Sequence, residues 1–483
     1  MARDERDLRP ASAIARRPRP RLTPADGGWT RGAARPPTLT QIAVGAGLAA
    51  ALAASWTLWT EQTSAALQGA FFVLFVLVAA TRLAAALTAR EAGETRPLTV
   101  RDLPRYSVIV PLYREAAVVP GLLRALDALD YPRDRLQVLI VVEADDGETR
   151  QALAGRPLPA WVEVLAAPPG LPRTKPRACN IALEQADGEL VVIYDAEDRP
   201  GPGQLREAAA RFAAGPPRLA CLQAPLRIEP DRRLLPAQFA LEYAAQFEVL
   251  MPALARIGAP FPLGGTSNHF RAAVLRAVGG WDAWNVTEDA DLGFRLAAEG
   301  YRMDVLECPT FEPAPDRLSV WLPQRSRWVK GYMQTFGVQS RDPPHWRTGA
   351  AAAFAVTLGA AIAASFLHGP LLAWTLVAAV LGLAEGVAWV RPSDAVLLAV
   401  GWLCAASAVV VGARRAGTPA RARDLLLMPF YWPLQSLAAA HALHQLVFRP
   451  FHWDKTPHAA RETPAADGSR AEPAAPVARR RAS

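Results

Sequence analysis

Cysteine is scarce in this sequence, and its placement excludes the two usual structural roles of clustered cysteines. The four cysteines, Cys179, Cys221, Cys308 and Cys404, stand singly and never in CxxC spacing. A zinc site or a disulfide framework is recognised by paired or regularly spaced cysteines. The sequence therefore predicts neither, and it favours a reducing, cytoplasmic setting for the middle of the chain.

Charged residues are almost absent from several long stretches near the two ends of the chain. Two of these stretches, 40–59 and 67–88, have the length of about twenty residues that crosses a bilayer as a helix. Four more apolar segments lie at 348–367, 369–390, 394–412 and 425–447. We therefore expect two transmembrane helices within 39–90 and about four membrane segments within 348–448. Because few ionisable residues interrupt these segments, a transporter alone is disfavoured.

Outside the two termini the sequence has almost no excess of positive charge. The net charge of +8 lies almost wholly in residues 1–38 and 459–483, which are rich in Ala, Pro and Arg. Both stretches flank apolar segments, where basic residues follow the positive-inside rule and meet anionic headgroups. We therefore expect a lipid bilayer and no nucleic acid as partner, and disordered tails at 1–38 and 449–483. The Arg- and Pro-rich stretch before 40–59 favours a retained anchor over a cleaved signal sequence.

The central region, 99–340, alternates short apolar strands with helical patterns. Strands are predicted at 106–112, 136–144, 161–167 and 189–194, with helices around 116–128 and 174–186. This alternation is typical of a mostly parallel sheet with helices on both faces. We expect an α/β domain inserted between the membrane segments. The helical stretch 234–258 fits either a core helix or a helix on the membrane surface, and we favour the second.

Two acidic clusters follow predicted strands of this sheet. Glu143, Asp145 and Asp146 end one strand, and Asp195, Glu197 and Asp198 end another. One acidic turn would be ordinary, but two at the carboxyl ends of strands lie where such sheets bind ligands. Carboxylates there could hold Mg²⁺ or Mn²⁺. A basic stretch between the clusters could bind phosphates, so a nucleotide diphosphate ligand is favoured. Its basic residues are Arg173, Lys175 and Arg177.

Two further motifs carry candidate catalytic groups. In TEDADLG, Thr287 can cap a helix whose first turn holds Glu288 and Asp289, where the helix dipole favours an ionised carboxylate. An ionised Asp289 could accept the proton of an acceptor hydroxyl, although first-turn acids are also common. In QRSRW, Trp328 could anchor the chain at a membrane interface, and Arg327 has the planar fork that suits phosphate oxygens.

The chain carries seven motifs in an order that resembles the family 2 glycosyltransferases. They are VPLYRE (110–115), EADD (143–146), RTKPRACN (173–180), YDAED (194–198), GGTSNHF (264–270), TEDADLG (287–293) and QRSRW (324–328). The order is most similar to the membrane-embedded branch with cellulose, chitin and hyaluronan synthases and bacterial exopolysaccharide synthases. The stretch 429–458 also resembles the end of bacterial glucomannan or exopolysaccharide synthases.

The resemblance implies a GT-A fold and transfer of a sugar from a nucleotide diphosphate donor with inversion at the anomeric carbon. It implies a catalytic base at Asp289 with Glu288 beside it, and Mg²⁺ or Mn²⁺ at Asp195, Glu197 and Asp198. The last three depart from a strict D-x-D, so which two touch the metal stays open. Expected donor-binding residues are Glu143, Asp145, Asp146, Lys175, Arg177 and Arg327; expected acceptor-binding residues are Gln324, Trp328 and Thr287.

The resemblance favours a processive synthase that polymerises a β-linked polysaccharide and exports it through its own helices. Single transfer to a lipid or short acceptor is the nearest alternative, and a non-catalytic membrane receptor or scaffold is another. The favoured donors are UDP-glucose and GDP-mannose, and accessory export or regulatory subunits are compatible with the family.

The basic N-terminus predicts a multi-pass protein of the inner membrane with 99–340 and the C-terminus in the cytoplasm. Six spans would place the basic loop 413–424 outside, against the positive-inside tendency. We favour six spans, because 425–447 is long and mostly apolar. The alternative lays 425–447 along the cytoplasmic surface.

Overall fold

The computed structural model describes residues 32–89, 95–341, 348–385 and 392–453. Its strands are β1 (Tyr106–Leu112), β2 (Leu136–Glu143), β3 (Val162–Ala167), β4 (Leu190–Ile193), β5 (Arg199–Pro200), β6 (Leu219–Gln223), β7 (Leu226–Ile228), β8 (Asn268–Arg271), β9 (Arg302–Val305) and β10 (Thr310–Glu312). They form a seven-stranded sheet in the order β3-β2-β1-β4-β8-β6-β9 and a three-stranded sheet in the order β5-β10-β7.

The seven-stranded sheet is mostly parallel, as the sequence predicts. β1 pairs in parallel with β2 and β4, β2 with β3, and β6 with β9, whereas β8 runs antiparallel to both of its neighbours. β1 and β2 are buried at nearly every position. Their apolar runs are continuous because helices cover both faces of a parallel sheet. The α/β fold class is confirmed.

The helices cover this sheet and extend away from it as an apolar bundle. They are α1 (Leu39–Leu58), α2 (Thr60–Thr88), α3 (Val119–Asp127), α4 (Gly147–Ala154), α5 (Lys175–Gln185), α6 (Gln204–Ala214), α7 (Leu234–Ala245), α8 (Met251–Arg256), α9 (Ala272–Ala277), α10 (Glu288–Ala298), α11 (Leu318–Gln339), α12 (Thr348–Phe354), α13 (Ala360–Glu385), α14 (Pro392–Ala416), α15 (Ala422–Tyr431) and α16 (Pro433–Phe448). π-Helical turns at Gln246–Leu250 and Ala355–Gly359 join α7 to α8 and α12 to α13, and 3₁₀ turns occupy Val100–Asp102 and Arg133–Arg135.

Two apolar cores lie on opposite faces of the seven-stranded sheet. Successive residues of β1 alternate between them, with Ile109 in one core and Val108 in the other. The first core includes Cys179 of α5 and Cys221 of β6, both buried and free. These two cysteines pack as small apolar side chains.

Four helices within the described residues are long and apolar enough to cross a membrane. We call them the apolar helices: Leu39–Leu58, Thr60–Thr88, Gly349–Ala384 and Val396–Ala416. The predicted segments 348–367 and 369–390 are therefore not two spans, because one helix of 36 residues runs through both. Pro370 does not end this helix. The neighbouring N–H of Gly369 donates to the Ser436 hydroxyl (2.9 Å), so α16 helps to satisfy the backbone beside the proline.

The long helix is anchored on the central domain at its beginning. Its length of about 54 Å exceeds the roughly 30 Å of a hydrocarbon core. Phe354 packs against Phe294 of α10 and Phe336 of α11, with ring centroids 5.1 Å apart in both pairs. The first turns therefore belong to the domain, and the later turns extend away from it.

The last predicted span, 425–447, is instead two short helices packed on the central domain. Pro433 has no backbone N–H with which to continue α15, and it begins α16. Trp321 Nε1 donates to the Tyr431 hydroxyl (3.0 Å), and Lys330 Nζ donates to Gln445 Oε1 (2.8 Å). The structure thus differs from the favoured six spans, because 425–447 is not one of the four helices long and apolar enough to cross a membrane. A position of this segment along the cytoplasmic surface stays a prediction.

The basic loop 413–424 also contacts the central domain. Arg227 Nη2 donates to the Arg415 carbonyl (3.3 Å), and Gln238 Nε2 donates to the Asp424 carbonyl (2.6 Å). The loop and the domain therefore lie on one side of the apolar helices.

The stretch 234–258 is a continuous helical segment from α7 to α8. Most of the circumference of α7 is buried, between β7 on one side and α14 on the other. Gly412 allows α14 to approach this closely, because a Cβ there would clash with the Ala244 carbonyl. The core alternative describes this packing; a position at the membrane surface stays a prediction.

The predicted disordered tails lie largely outside the described residues, and their described ends pack on the domain. The Ala33 N–H donates to Asp282 Oδ2 (2.6 Å). At the other end, Gln334 Nε2 donates to the Pro450 carbonyl (2.9 Å). Residues near 33 and 450 are therefore held in place, contrary to the predicted tail boundaries at 38 and 449.

Candidate functional site

A cavity of about 560 Å³ connects the carboxyl edge of the seven-stranded sheet with the apolar helices. Its sheet end is lined by Tyr113, Glu143 and Asp195, which follow or end β1, β2 and β4. Its other end is lined by side chains of α2, α13 and α14, among them Arg82 and Ala408. The predicted acidic strand ends and the membrane segments therefore share one cavity.

Asp195 and Glu197 face this cavity, whereas Asp198 points into the protein. Asp198 Oδ2 accepts hydrogen bonds from the backbone N–H of Asp195 (2.7 Å) and from the Thr266 hydroxyl. Burial raises the pKa of Asp198, and the nearby charges of Asp195 and Glu197 raise it further. Of the three predicted metal ligands, Asp198 therefore shapes the turn, and Asp195 and Glu197 form the acidic pair that faces the cavity.

A divalent metal fits this pair only if other ligands complete its coordination. Within the described ranges, no group of three His, Cys, Asp or Glu side chains is arranged to hold a metal ion. Mg²⁺ is commonly bound through one or two carboxylates together with phosphate oxygens and water. The chemistry of Asp195 and Glu197 matches that pattern.

Lys175 supplies positive charge next to the acidic pair. Its Nζ forms an ion pair with Asp195 Oδ1 and donates to the Gly265 carbonyl (2.7 Å). Burial opposes its charge, but the carboxylates of Asp195 and Glu288 outweigh burial and raise the pKa of Lys175. Lys175 therefore stays charged where a diphosphate would meet Asp195.

The other acidic cluster, Glu143, Asp145 and Asp146, also has one member that lines the cavity and one that is buried in the protein. Glu143 lines the cavity, and the buried guanidinium of Arg177 pairs with it (3.3 Å). Burial raises the pKa of Glu143, and Arg177 opposes that rise. Asp145 is exposed and pairs with Arg173 (2.6 Å), whose side chain lines the cavity. Arg177 therefore acts through Glu143 and does not itself line the cavity.

Asp146 has a structural partner on each side. It is buried at the N-cap of α4, where Oδ1 accepts a hydrogen bond from the Thr149 N–H (3.2 Å). Its Oδ2 accepts one from the backbone N–H of Arg114 (2.5 Å). Among the predicted donor-binding acids, Asp146 thus ties the loop between β1 and α3 to the start of α4, and Glu143 is the one that lines the cavity.

Asp289 lies in the first turn of α10 and lines the cavity, as TEDADLG predicts. Its Oδ1 accepts a hydrogen bond from the Ala290 N–H (2.8 Å). Thr287 occupies the N-cap position, but its hydroxyl makes no capping hydrogen bond. The predicted cap is therefore wrong, because the Thr287 side chain is packed tightly against Gly331 of α11.

The adjacent acids Glu288 and Asp289 have different environments. Burial raises the pKa of Glu288 to about 8, and the neighbouring charge of Asp289 adds to the rise. Burial also raises the pKa of Asp289, but its hydrogen bond from Ala290 and the charge of Lys175 oppose the rise. Burial thus favours the protonated form of Glu288, whereas the Ala290 N–H and the charge of Lys175 favour the ionised form of Asp289.

The QRSRW motif lies on α11 with Gln324, Arg327 and Trp328 lining the cavity. Sequence reasoning gave no role to Arg325 within it. The two Nη atoms of Arg325 donate to both carboxylate oxygens of Glu242 (2.7 and 2.5 Å). Its guanidinium carbon lies 4.5 Å from the centroid of the Trp328 ring. Arg325 therefore holds the indole in place through a cation–π contact.

Two more residues complete the site, and neither had a distinct signal in the sequence. The guanidinium of Arg327 lies 4.6 Å from the ring centroid of Trp453, in a segment fixed by Lys330 Nζ donating to the His452 carbonyl (2.7 Å). Glu312 ends β10 and lines the cavity, and burial raises its pKa. Only the aromatic pattern FHW after the last helix could have pointed to Trp453.

The family model described as glycosyltransferase like family 2 matches residues 104–331. Residues 104–331 form a family 2 glycosyltransferase domain. The chain therefore carries a glycosyltransferase domain of this kind between its apolar helices.

The curated relatives of the glycosyltransferase domain include enzymes with different products. The chain is 24% identical over 243 residues to a probable glycosyltransferase, YdaM, of Bacillus subtilis and 28% identical over 256 residues to the beta-monoglucosyldiacylglycerol synthase of Synechocystis. It is 31% identical over 246 residues to cellulose synthase 2 of Novacetimonas hansenii. These matches cover 48%, 50% and 49% of this chain and 56%, 52% and 15% of the relatives. The chain thus spans about half the length of the first two.

A solved structure with the same fold is a mannosyltransferase from Pyrobaculum calidifontis in complex with GDP-Man and Mn²⁺. The likeness has a TM-score of 0.52 at 22% identity and covers 79% of this chain and 97% of that chain. It confirms the predicted GT-A fold.

Proposed function

We propose that the enzyme transfers a hexose from a nucleoside diphosphate sugar to an acceptor hydroxyl, with inversion at the anomeric carbon. The observation that carries this proposal is the shared cavity, in which Asp289, the pair Asp195 and Glu197, and the cations Lys175 and Arg327 face one another. This combination provides a base, a seat for a divalent metal and charge for a diphosphate.

The acidic pair is the proposed metal site. Asp195 and Glu197 hold Mg²⁺ or Mn²⁺, which when bound neutralises charge on the donor diphosphate. Lys175, which lies next to Asp195, and Arg327 attract the same phosphates. Glu143 lies at the sheet end, where its carboxylate suits hydrogen bonds from the nucleoside.

Asp289 is the proposed base. Its ionised carboxylate takes the proton from the acceptor hydroxyl while that oxygen forms a bond to the anomeric carbon and the bond to the diphosphate breaks. One displacement of this kind inverts the anomeric centre. Glu288 keeps its proton at neutral pH, so no second negative charge forms beside the base.

We further propose that the acceptor is a membrane lipid. The part of the cavity between the apolar helices, here called the membrane arm, is lined by Leu250, Ala364, Ala405, Ala408 and Val409, together with Arg82 and His368. Sugar hydroxyls passing along the apolar side chains would lose hydrogen bonds to water without replacement. An acyl or prenyl chain loses nothing there, and one relative of the domain is a synthase of a glycolipid.

A processive polysaccharide synthase is the second candidate. The aromatic side chains Trp328, Tyr243 and Tyr332 line the cavity between the base and the membrane arm, and such faces suit stacking on sugar rings. Cellulose synthases are also among the relatives. We give the lipid precedence because Leu250, Ala364, Ala405, Ala408 and Val409 give the membrane arm aliphatic walls. Trp432, which stacks on His368, adds one aromatic face there.

The four apolar helices support a multi-pass membrane protein. We propose that the glycosyltransferase domain and the basic loop 413–424 face the cytoplasm, since both lie on one side of the apolar helices and the loop is rich in Arg.

Release of nucleoside diphosphate from a panel of donors tests the reaction. The purified protein is incubated with UDP-glucose, GDP-mannose and UDP-N-acetylglucosamine, each with Mg²⁺, with Mn²⁺ or with excess EDTA. We expect lipid-dependent release with at least one donor and loss of release in EDTA. Asp195→Asn and Glu197→Gln should each lower the rate and weaken Mn²⁺ binding measured directly by calorimetry, whereas the exposed control Glu148→Gln should do neither. Full activity in EDTA would remove the metal assignment.

A further inference from the structure

The helix α2 carries a charge inside its apolar stretch. Between Glu61 in its first turn and its end at Thr88, Arg82 is the only ionisable residue of the sequence. A charged side chain in a membrane segment is costly and marks a functional site more often than a structural one. Arg82 lines the membrane arm of the cavity, so its guanidinium faces the space that we assign to the acceptor.

Glu242 is the carboxylate that acts most strongly on Arg82, but other residues already bind both of its oxygens. Glu242 attracts Arg82 electrostatically, but Arg325 donates to both of its oxygens and the Tyr431 hydroxyl donates to Oε2 (3.1 Å). Among the residues that the structure describes, Arg82 makes no hydrogen bond and no ion pair. The donors of Arg82 are therefore available to a ligand in the arm.

A second basic side chain lies near Arg82. His368 of α13 lines the same arm, and the charge of Arg82 acts on it. Its ring stacks on Trp432 with centroids 5.3 Å apart, which fixes its position. The membrane arm thus combines aliphatic walls with two basic groups, one of them a guanidinium whose planar fork matches phosphate oxygens.

We propose that the membrane arm binds a lipid phosphate through Arg82, so that the lipid acceptor is a phosphate-bearing lipid and not a neutral one. This inference rests on the proposed lipid acceptor and specifies its class. The acyl chains of the lipid contact the alanine-lined helices. Its phosphate pairs with the Arg82 guanidinium, which has no ion-pair partner among the described residues. A neutral diacylglycerol would satisfy the walls of the arm but leave Arg82 without an anion.

Binding and transfer with two lipids of equal acyl chains test this inference. The full-length protein, in uncharged detergent, is titrated with phosphatidylglycerol or with diacylglycerol, and bound lipid is counted by native mass spectrometry. We expect preferential binding of phosphatidylglycerol to the native protein. Arg82→Gln should raise the apparent dissociation constant for phosphatidylglycerol by roughly tenfold or more, as expected for loss of a charge-assisted hydrogen bond, and should leave diacylglycerol unaffected.

Two further variants test whether an effect of Arg82→Gln comes from loss of this phosphate site, from loss of positive charge in general, or from misfolding. Arg449 is exposed, basic and outside the cavity, so Arg449→Gln should bind phosphatidylglycerol as the native protein does. Arg82→Lys keeps the charge and should retain most of the binding. Equal binding of phosphatidylglycerol by the native protein and Arg82→Gln would overturn the inference.

The same experiment distinguishes this inference from the proposed function. Transfer to diacylglycerol that is as fast as transfer to phosphatidylglycerol, and insensitive to Arg82→Gln, would overturn the phosphate site and leave the lipid acceptor standing. A polymeric product from the native protein would overturn the lipid acceptor, while the binding measurement would still report on Arg82.

Discussion

At the scale of single residues, Asp289 is the proposed base of the transfer step. It is held by the Ala290 N–H in the first turn of α10, and it faces the cavity with Lys175 and Arg327 nearby. Asp289→Asn keeps the shape of the side chain but cannot accept the proton. We expect the transfer rate to fall by a factor on the order of 10² to 10⁴, with donor affinity nearly unchanged.

Donor affinity is measured by calorimetry and transfer by product formation. A variant that loses donor binding in proportion to its rate would place Asp289 at the donor instead of at the acceptor hydroxyl. Substantial turnover in Asp289→Asn would assign the base to another group.

Glu288 predicts a pH dependence of stability. Burial raises its pKa from an ordinary value of 4.5 to about 8, so between these values the folded protein binds a proton that the unfolded chain has released. Its contribution to stability is therefore lost as the pH rises through this window, with a slope of at most about 1.4 kcal/mol per pH unit.

Glu288→Gln is neutral at every pH and should remove this part of the slope. Unfolding of the native protein and of the variant, measured between pH 5 and pH 8, should diverge because the native protein alone loses stability through Glu288. Curves that stay parallel would show that Glu288 is ionised in the folded protein at neutral pH.

At the scale of elements, the contact between α11 and the start of α10 positions the base. Gly331 of α11 packs against Thr287, and a Cβ at this position would overlap the Thr287 side chain. Gly331→Ala should therefore displace the first turn of α10, destabilise the protein by about 1–3 kcal/mol and lower the transfer rate.

Gly337→Ala is the matched control, because it lies on the same helix and nothing lies within 4 Å of its added Cβ. In that open position Ala favours the helix by up to about 1 kcal/mol, so the control should be neutral or stabilising. Equal activity of the two variants would show that this contact does not position Asp289.

The elements themselves were largely predictable, since their signals are local. β1 and β2 follow from continuous apolar runs, and α10 begins where its first-turn acids indicate. The uninterrupted helix through Pro370 was not predictable, because the Gly369 N–H beside the proline is satisfied by Ser436 of α16, which lies far along the chain.

The candidate site was predictable in outline and not in detail. Which carboxylates face the cavity depends on the turn, where Asp198 bonds back to the Asp195 N–H, and on Thr266 from a distant segment. The contacts of Arg325 with Glu242 and of Arg327 with Trp453 also join separate helices or segments. Residue types alone carry no information about such partners.

At the scale of the whole molecule, the proposed four spans would place both ends of the apolar bundle on the side of the glycosyltransferase domain. In intact cells, a single cysteine at Ala416 should be protected from a membrane-impermeant reagent, because Arg415 contacts the domain. A cysteine at Ala388, between α13 and α14, should be labelled and serves as the positive control. Labelling at Ala416 would restore the six-span arrangement.

The nature of the product tests the central claim, which is sugar transfer to a lipid in the shared cavity. Membranes containing the protein are incubated with a radiolabelled nucleotide sugar that supports turnover, together with Mg²⁺ or Mn²⁺, and the product is partitioned between organic solvent and water. We predict label in a single glycolipid band in the organic phase, absent from membranes containing Asp289→Asn. Label confined to a water-insoluble or high-molecular-mass polymer that glycosidases degrade would contradict the account.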